Sequence, residues 1–332
     1  MWYGVAVLVA GLIATPVAIV VLRQLRVVDI PNHRSSHQHV TVRSAGIGVA
    51  LVGVTALLVA SRQEQSSYSL VATAAACFAL TGMLGDREKL SVFGRLLIQV
   101  VIALVTVVFL DLNQVFGGLS LAVAPVAVVG IVGYVNAFNF MDGVNGISSL
   151  HAGSVGATWL IGGLLSDLSA ATLLGAVIVA CALAFLPYNF PHARGFLGDV
   201  GSYYFGGLIA VSALMLLGDL PTLLIVLPLL TYAVDTGSTL LRRIRSGKVW
   251  HEAHREHVYQ RLLGIGWNHT HSATLVGGLT LFGGATALMA AHGTRNSVVA
   301  SLILVPFLVT NAAYLALPEF LEHQSRRRLD AP

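Results

Sequence analysis

The chain has 332 residues, of which 56% are hydrophobic and only 10% charged. A soluble globule carries about a quarter of charged residues, so this composition excludes one and makes lipid the main solvent. The net charge of +4 does not argue for a nucleic-acid partner, since membrane insertion alone requires a basic cytoplasmic face.

Apolar runs recur from end to end. A helix of ~20 residues crosses the ~30 Å hydrocarbon core, and backbone groups left unpaired in lipid rule out open sheets. The sequence predicts helices near 2–22, 45–61, 68–85, 95–111, 119–138, 147–166, 169–188, 200–218, 221–241, 273–292 and 296–317. The expected fold is an all-α integral membrane protein of about eleven transmembrane helices, one polytopic domain over 1–332. No basic residue precedes the first run, and Arg23 and Arg26 follow it. It is therefore read as a permanent anchor, not a cleaved signal.

If the amino terminus lies outside, strict alternation puts 23–44, 86–94, 139–146, 189–199, 242–272 and 318–332 in the cytoplasm. With helix ends such as Arg95 counted with their nearest loop, that assignment places 17 of the 19 Lys and Arg residues inside and leaves Arg62 and Arg295 outside, the asymmetry expected of a cytoplasmic carboxy terminus. The outside loops are short, so chemistry is expected on the cytoplasmic face. Cys77 and Cys181 both fall inside apolar runs, as small buried side chains.

Five polar clusters follow in chain order. The first, Asp29 to His37 with Arg43, offers Arg34, Arg43, His33 and His37 as donors to an anionic headgroup or a phosphate, with Asn32 a further substrate-binding candidate; a plain topogenic loop is the alternative. In the second, Gly85-Asp86 closes the third apolar run; Asp86 there either binds a metal or is simply solvated. The third runs from Asn136 to Gly146. Positions 136, 139 and 142 step back about 60° each on a helix, so Asn136, Asn139 and Asp142 share one sector. Polar groups at that depth cost energy and line a cavity, or else form an amide network that locks helices together. Asn145 follows between two glycines.

The fourth cluster sets Asp199 between Gly198 and Val200-Gly201 at a helix start, where it serves as a cap or as a Mg²⁺ ligand. In the fifth, His251, His254 and His257 would share one helix side. Zinc is disfavoured there, with Arg255 inserted and no Cys nearby, and donors to a diphosphate are preferred. Carboxylates for Mg²⁺ beside cations for phosphates is what phosphoryl transfer requires.

These residues resemble the polyprenyl-phosphate N-acetylhexosamine-1-phosphate transferases. The similarity extends from Asp29 to Arg261 and is strongest at Asp29–His37, Asn136–Gly146, Gly195–Ser202 and His254–Gln260, in the family's order. It implies a multi-pass enzyme of the bacterial inner membrane with its site on the cytoplasmic face. The reaction implied is transfer of sugar-1-phosphate from a UDP-N-acetylhexosamine to undecaprenyl or another polyprenyl phosphate, releasing UMP.

On matching positions, Asp199 would be the principal Mg²⁺ ligand with Asp142, Mn²⁺ being an alternative ion. Asp86 with Asp142 would position or deprotonate the lipid phosphate. Asn139 and Asn145 would line the nucleotide pocket, and His254, Arg255 and His257 would engage the diphosphate or sugar. A homodimer is compatible with this picture. Asn145 and the His254-x-x-His257-x-Tyr259-Gln260 pattern are closer to the branch that initiates O-antigen or capsule than to the peptidoglycan branch.

One departure stands out: the family carries adjacent aspartates where this chain has Gly85-Asp86. A catalytically silent scaffold is the alternative that this raises. A transporter is the other, and it fits poorly because the ionisable residues gather at one face instead of near helix midpoints.

Overall fold

The computed structural model describes residues 2–30, 40–88, 90–110, 112, 117–249, 252, 254–293 and 297–329, with the side chains of 86–88, 297 and 325–329 excepted. The predicted Asn32, His33, Arg34 and His37 lie outside the described residues. Among the described residues twelve α-helices form. They are α1 Trp2–Gln24, α2 Ile47–Gln63, α3 Ser67–Glu88, α4 Val92–Phe109, α5 Ser120–Met141 and α6 Ile147–Leu165. They continue as α7 Ser169–Asn189, α8 Gly198–Leu216, α9 Thr222–Arg245, α10 Val258–Gly264, α11 His269–His292 and α12 Ser297–Leu329.

All eleven predicted runs are helical. Among the described residues nine helices are long and apolar enough to cross a membrane. Of the predicted runs, the two outside that set are α2, with 17 residues, and α6, whose 19 residues include Ser148, Ser149, His151 and Thr158. Helix α6 tolerates that polarity because protein surrounds it. It packs most extensively on α7 and also on α11. A side chain on Gly156 would come 2.8 Å from the Gly175 carbonyl, the close backbone approach that helices in lipid use for van der Waals packing.

Several helices outrun their apolar cores. Helix α9 continues to Arg245, α8 starts at Gly198, α11 at His269, and α12 reaches Leu329 instead of 317. Hydropathy marks where lipid ends, whereas the helix goes on wherever its last turns find partners. Arg242, Arg243 and Arg245 in the final turn of α9 also favour the negative end of the helix dipole.

Helix α8 is the centre of the bundle. Within its apolar window 83% of residues are buried, against 17% for α12 and 22% for α4 at the periphery. It packs chiefly on α3 and α5. Where α3 crosses the first turn of α8, a side chain on Gly82 would run into the Asp199 carbonyl.

The loops assigned to one side do converge at one end. A short antiparallel ladder, β1 Val28–Asp29 with β2 Thr41–Val42, is extended by a parallel bridge from Val42 to Gly195. Phe196 N–H donates to the Val42 carbonyl at 2.8 Å, and Ala45 N–H to the Phe196 carbonyl at 2.9 Å. At the opposite end, the Tyr3 hydroxyl meets the Gln63 side chain.

Candidate active site

At the convergent end, α5 terminates two residues beyond Asn139. The Asn139 amide donates to Asp199 Oδ1 at 3.1 Å and to Ser202 Oγ at 2.9 Å, joining α5 to the first turn of α8. Asp142 is the cap residue that follows α5 (φ −83°, ψ 53°). Its Oδ1 accepts the Ser148 hydroxyl at 2.6 Å.

The turn between α5 and α6 is held from both sides. Buried Asn189 accepts Gly146 N–H at 2.6 Å and donates to the Gly195 carbonyl at 3.0 Å. Gly146 has φ +83°, a left-handed conformation that glycine adopts without strain. Gly198 has φ +69°, and a side chain there would lie 2.7 Å from the Ser44 backbone. Both conditions on Gly198 allow Asp199 to be presented at the very start of α8.

Asp199 Oδ2 pairs with Arg95 Nη1 at 3.2 Å, the Asp199 side chain being 21% and that of Arg95 26% exposed. The result is a cavity of ≈ 330 Å³ whose polar lining includes Asp29, Arg43, Asn139, Asp142, Asn145 and Asp199.

The structure thus brings together four of the predicted residues, Asn139, Asp142, Asn145 and Asp199. The backbone of Asp86 lies in the last turn of α3. Beside it, a side chain on Gly85 would meet Arg95 Cδ at 3.1 Å and approach Asp199 Oδ2 at 3.8 Å. The missing carboxylate would therefore have stood next to this ion pair.

Asn136 lies apart from these four. It does not line the cavity; its amide donates to Gln99 at 2.5 Å and to the Val132 carbonyl at 2.7 Å. One turn deeper than Asn139, the lower-cost use of an amide is to tie α5 to the buried Gln99 of α4.

The histidines depart from the shared helix side that their spacing predicts. His254 and His257 share no helix side, because α10 begins only at Val258 with His257 as its cap. Neither they nor Arg255 line the cavity. Asp235, fully buried, orders this segment. Its Oδ1 accepts from His257 Nδ1 at 3.2 Å and from Val258 N–H at 3.1 Å, and its Oδ2 accepts the Tyr314 hydroxyl at 2.6 Å.

His257 is itself buried, its ring stacked 6.0 Å from Phe140, so it braces the site instead of reaching into it. The His254 ring lies 5.0 Å from His257. Burial, then the nearby charges of His257 and Arg243, push His254 down to about 4, which leaves it neutral at pH 7. Arg255 is exposed.

Asp29, Ser148, Asn189 and Asp235 carry no role predicted from the sequence, whereas Arg43, expected as a donor to an anionic group, does line the cavity. Asp29 sits in the first cluster, and Asp235 at the head of the fifth. Ser148 and Asn189 give no pattern at all, because their partners are set by tertiary contact.

Among the described residues, no three His, Cys, Asp or Glu side chains converge on one point. That excludes a closed structural metal site there. An ion that takes one or two carboxylates and fills its shell with water and phosphate oxygens needs less. The all-oxygen set of Asp142 and Asp199, lining one cavity, fits that requirement.

An apolar helical bundle with carboxylates and an arginine around a polar cavity at one end defines an integral membrane protein with an enzyme-like site. Residues 68–217 match the family model described as glycosyl transferase family 4. The chain is 28% identical over 285 residues, 81% of its length and 78% of the relative's, to the probable undecaprenyl-phosphate N-acetylglucosaminyl 1-phosphate transferase of Bacillus subtilis. It is 29% identical to the decaprenyl-phosphate N-acetylglucosaminephosphotransferase of Mycolicibacterium smegmatis over 42% of this chain and 38% of that one. A shorter match, 38% identical over 66 residues and 20% of each chain, is to the phospho-N-acetylmuramoyl-pentapeptide-transferase of Staphylococcus haemolyticus. These matches support the polyprenyl-phosphate N-acetylhexosamine-1-phosphate transferases as the family that this chain resembles. The chain is an enzyme, a sugar-1-phosphate transferase.

Proposed function

We propose that the chain moves an N-acetylhexosamine-1-phosphate from a UDP-sugar to undecaprenyl phosphate at the cytoplasmic face of a bacterial inner membrane, starting a surface glycan of the O-antigen or capsule kind. A lipid-phosphate oxygen attacks the β-phosphorus. The bond from that phosphorus to the bridging oxygen breaks, and UMP leaves with the electron pair. The observation that carries this reading is the single cavity that gathers Asp142, Asp199, Asn139 and Arg43 at the end of an apolar bundle. There a lipid phosphate and a soluble nucleotide can meet.

Mg²⁺, or Mn²⁺, held by Asp199 and Asp142 would neutralise the diphosphate and polarise the phosphorus. Arg43 is positioned for phosphate oxygens, and a guanidinium suits them. Asn139 keeps Asp199 aimed, and Asn145, whose amide donates to the Pro191 carbonyl at 3.0 Å, forms the rim on the nucleotide side. A lipid phosphate is already largely ionised at neutral pH, so Asp86 suffices without a carboxylate at position 85.

The test is UMP release by the purified full chain in detergent with Mg²⁺, undecaprenyl phosphate and a panel of UDP-N-acetylhexosamines. Turnover with one donor, lost in Asp199→Asn, is the expected result. Measurable nucleotide binding with no turnover for any donor would overturn it in favour of a silent scaffold. That second reading draws on Arg95 and Asn139 already engaging both oxygens of Asp199.

A further inference from the structure

A second cavity of ≈ 420 Å³ opens beside α1 at the same end of the bundle. We propose that it holds a resident anionic glycerophospholipid, with Arg23 and Arg194 gripping the headgroup phosphate. On α1 its wall is Pro16, Ile19, Val20 and Arg23. Their spacing of i, i+3, i+4 and i+7 forms a single stripe, apolar for two turns and cationic at its end. Tyr188 and Arg194 face it.

The groove opens towards lipid, since the neighbouring Val17 and Val21 of α1 are 56% and 45% exposed. Both arginines are exposed, and among the described residues neither side chain has an ion-pair partner. Scattered cations would satisfy membrane topology equally well. Two that converge at the head of an apolar trough match the shape and charge of a phospholipid, as basic pockets between membrane helices do.

The occupant is distinct from the acceptor substrate on geometric grounds. The Val42–Gly195 bridge lies between the two cavities. On each strand the residue before the bridge, Thr41 or Arg194, lines the groove, and the residue after it, Arg43 or Phe196, lines the catalytic cavity. No residue lines both. A phosphate held by Arg23 and Arg194 is thus walled off from Asp142 and Asp199, and its lipid buttresses the seam on which Asp199 is mounted.

The experiment is native mass spectrometry of the full chain, delipidated in detergent and titrated with phosphatidylglycerol or phosphatidylcholine. Wild type is expected to retain phosphatidylglycerol selectively. Arg23→Ala with Arg194→Ala should weaken it by roughly fivefold per arginine, while the Arg→Lys pair and Arg62→Ala, at the far end of α2, keep it. Equal retention by the double alanine variant, or no preference over phosphatidylcholine, overturns the proposal. Displacement by undecaprenyl phosphate also overturns it and makes the groove part of the acceptor's path. None of these readouts needs turnover, so the proposal stands or falls apart from the proposed reaction.

Discussion

Replacing Asp235 by alanine should be among the most damaging single changes to this protein, although Asp235 lies outside the cavity. The carboxylate accepts from Val258 N–H, His257 Nδ1, the Tyr314 hydroxyl and, at 3.4 Å, the Thr239 hydroxyl. The Thr239 hydroxyl, which also accepts from Arg242 at 3.2 Å, can turn its proton to the carbonyl four residues back in α9, so three donors are stranded. Each buried donor without a partner costs ~1–3 kcal/mol. Partial relaxation brings the total to about 3–5 kcal/mol, the range for breaking a buried charged network.

Asp235→Asn keeps one acceptor oxygen and should lose about 1–2 kcal/mol. The same change loosens α10, whose Tyr259 hydroxyl holds the Phe140 carbonyl at 2.9 Å, two residues before Asp142. Unfolding in mixed micelles, followed by tryptophan fluorescence, measures the difference. A loss under about 0.5 kcal/mol for the alanine variant, the size of an ordinary surface change, would refute this account of the Asp235 hub. So would equal losses for alanine and asparagine.

Gly82→Ala forces a methyl group into the Asp199 carbonyl; overpacking costs ~1–3 kcal/mol, and UMP release should fall with nucleotide binding retained. Gly85→Ala meets only the flexible Arg95 side chain, at 3.1 Å, and should leave stability within about 0.5 kcal/mol of wild type by the same unfolding assay. Ser148→Ala removes the 2.6 Å donor to Asp142, raising that carboxylate's affinity for protons, so the acid limb of the rate–pH profile should move to higher pH. His254 is held at about 4 against its ordinary 6.5. Between those values the unfolded chain takes up a proton that the folded chain refuses, so stability should fall as pH drops through that window. His254→Gln should flatten the dependence when thermal unfolding is compared at pH 7 and pH 5.

The helices were legible because lipid imposes one requirement, a long apolar run, and among the described residues nine helices meet it. Cavity residues were legible where chemistry and spacing coincided, as at Asn139, Asp142 and Asp199. Asn136 shared their sector but not their depth, and one turn along the helix separates a ligand from a brace. Periodicity misled at His254 and His257 because a three-residue spacing implies a shared face only if a helix is present. Arg95 was visible as a charge opening α4, yet its pairing with Asp199 across 104 positions belongs to the packing of α3, α4 and α8.

The burial of α8 also bears on how the chain is made. It is the least apolar of the nine candidate spans, so lipid alone rewards its insertion weakly. The helices that cover it most, α3 and α5, precede it in the chain and would be in the membrane when it emerges from the ribosome. Biogenesis and catalysis then converge on one element: the helix that carries Asp199 enters the bilayer by docking onto a receptor already built from its own upstream neighbours.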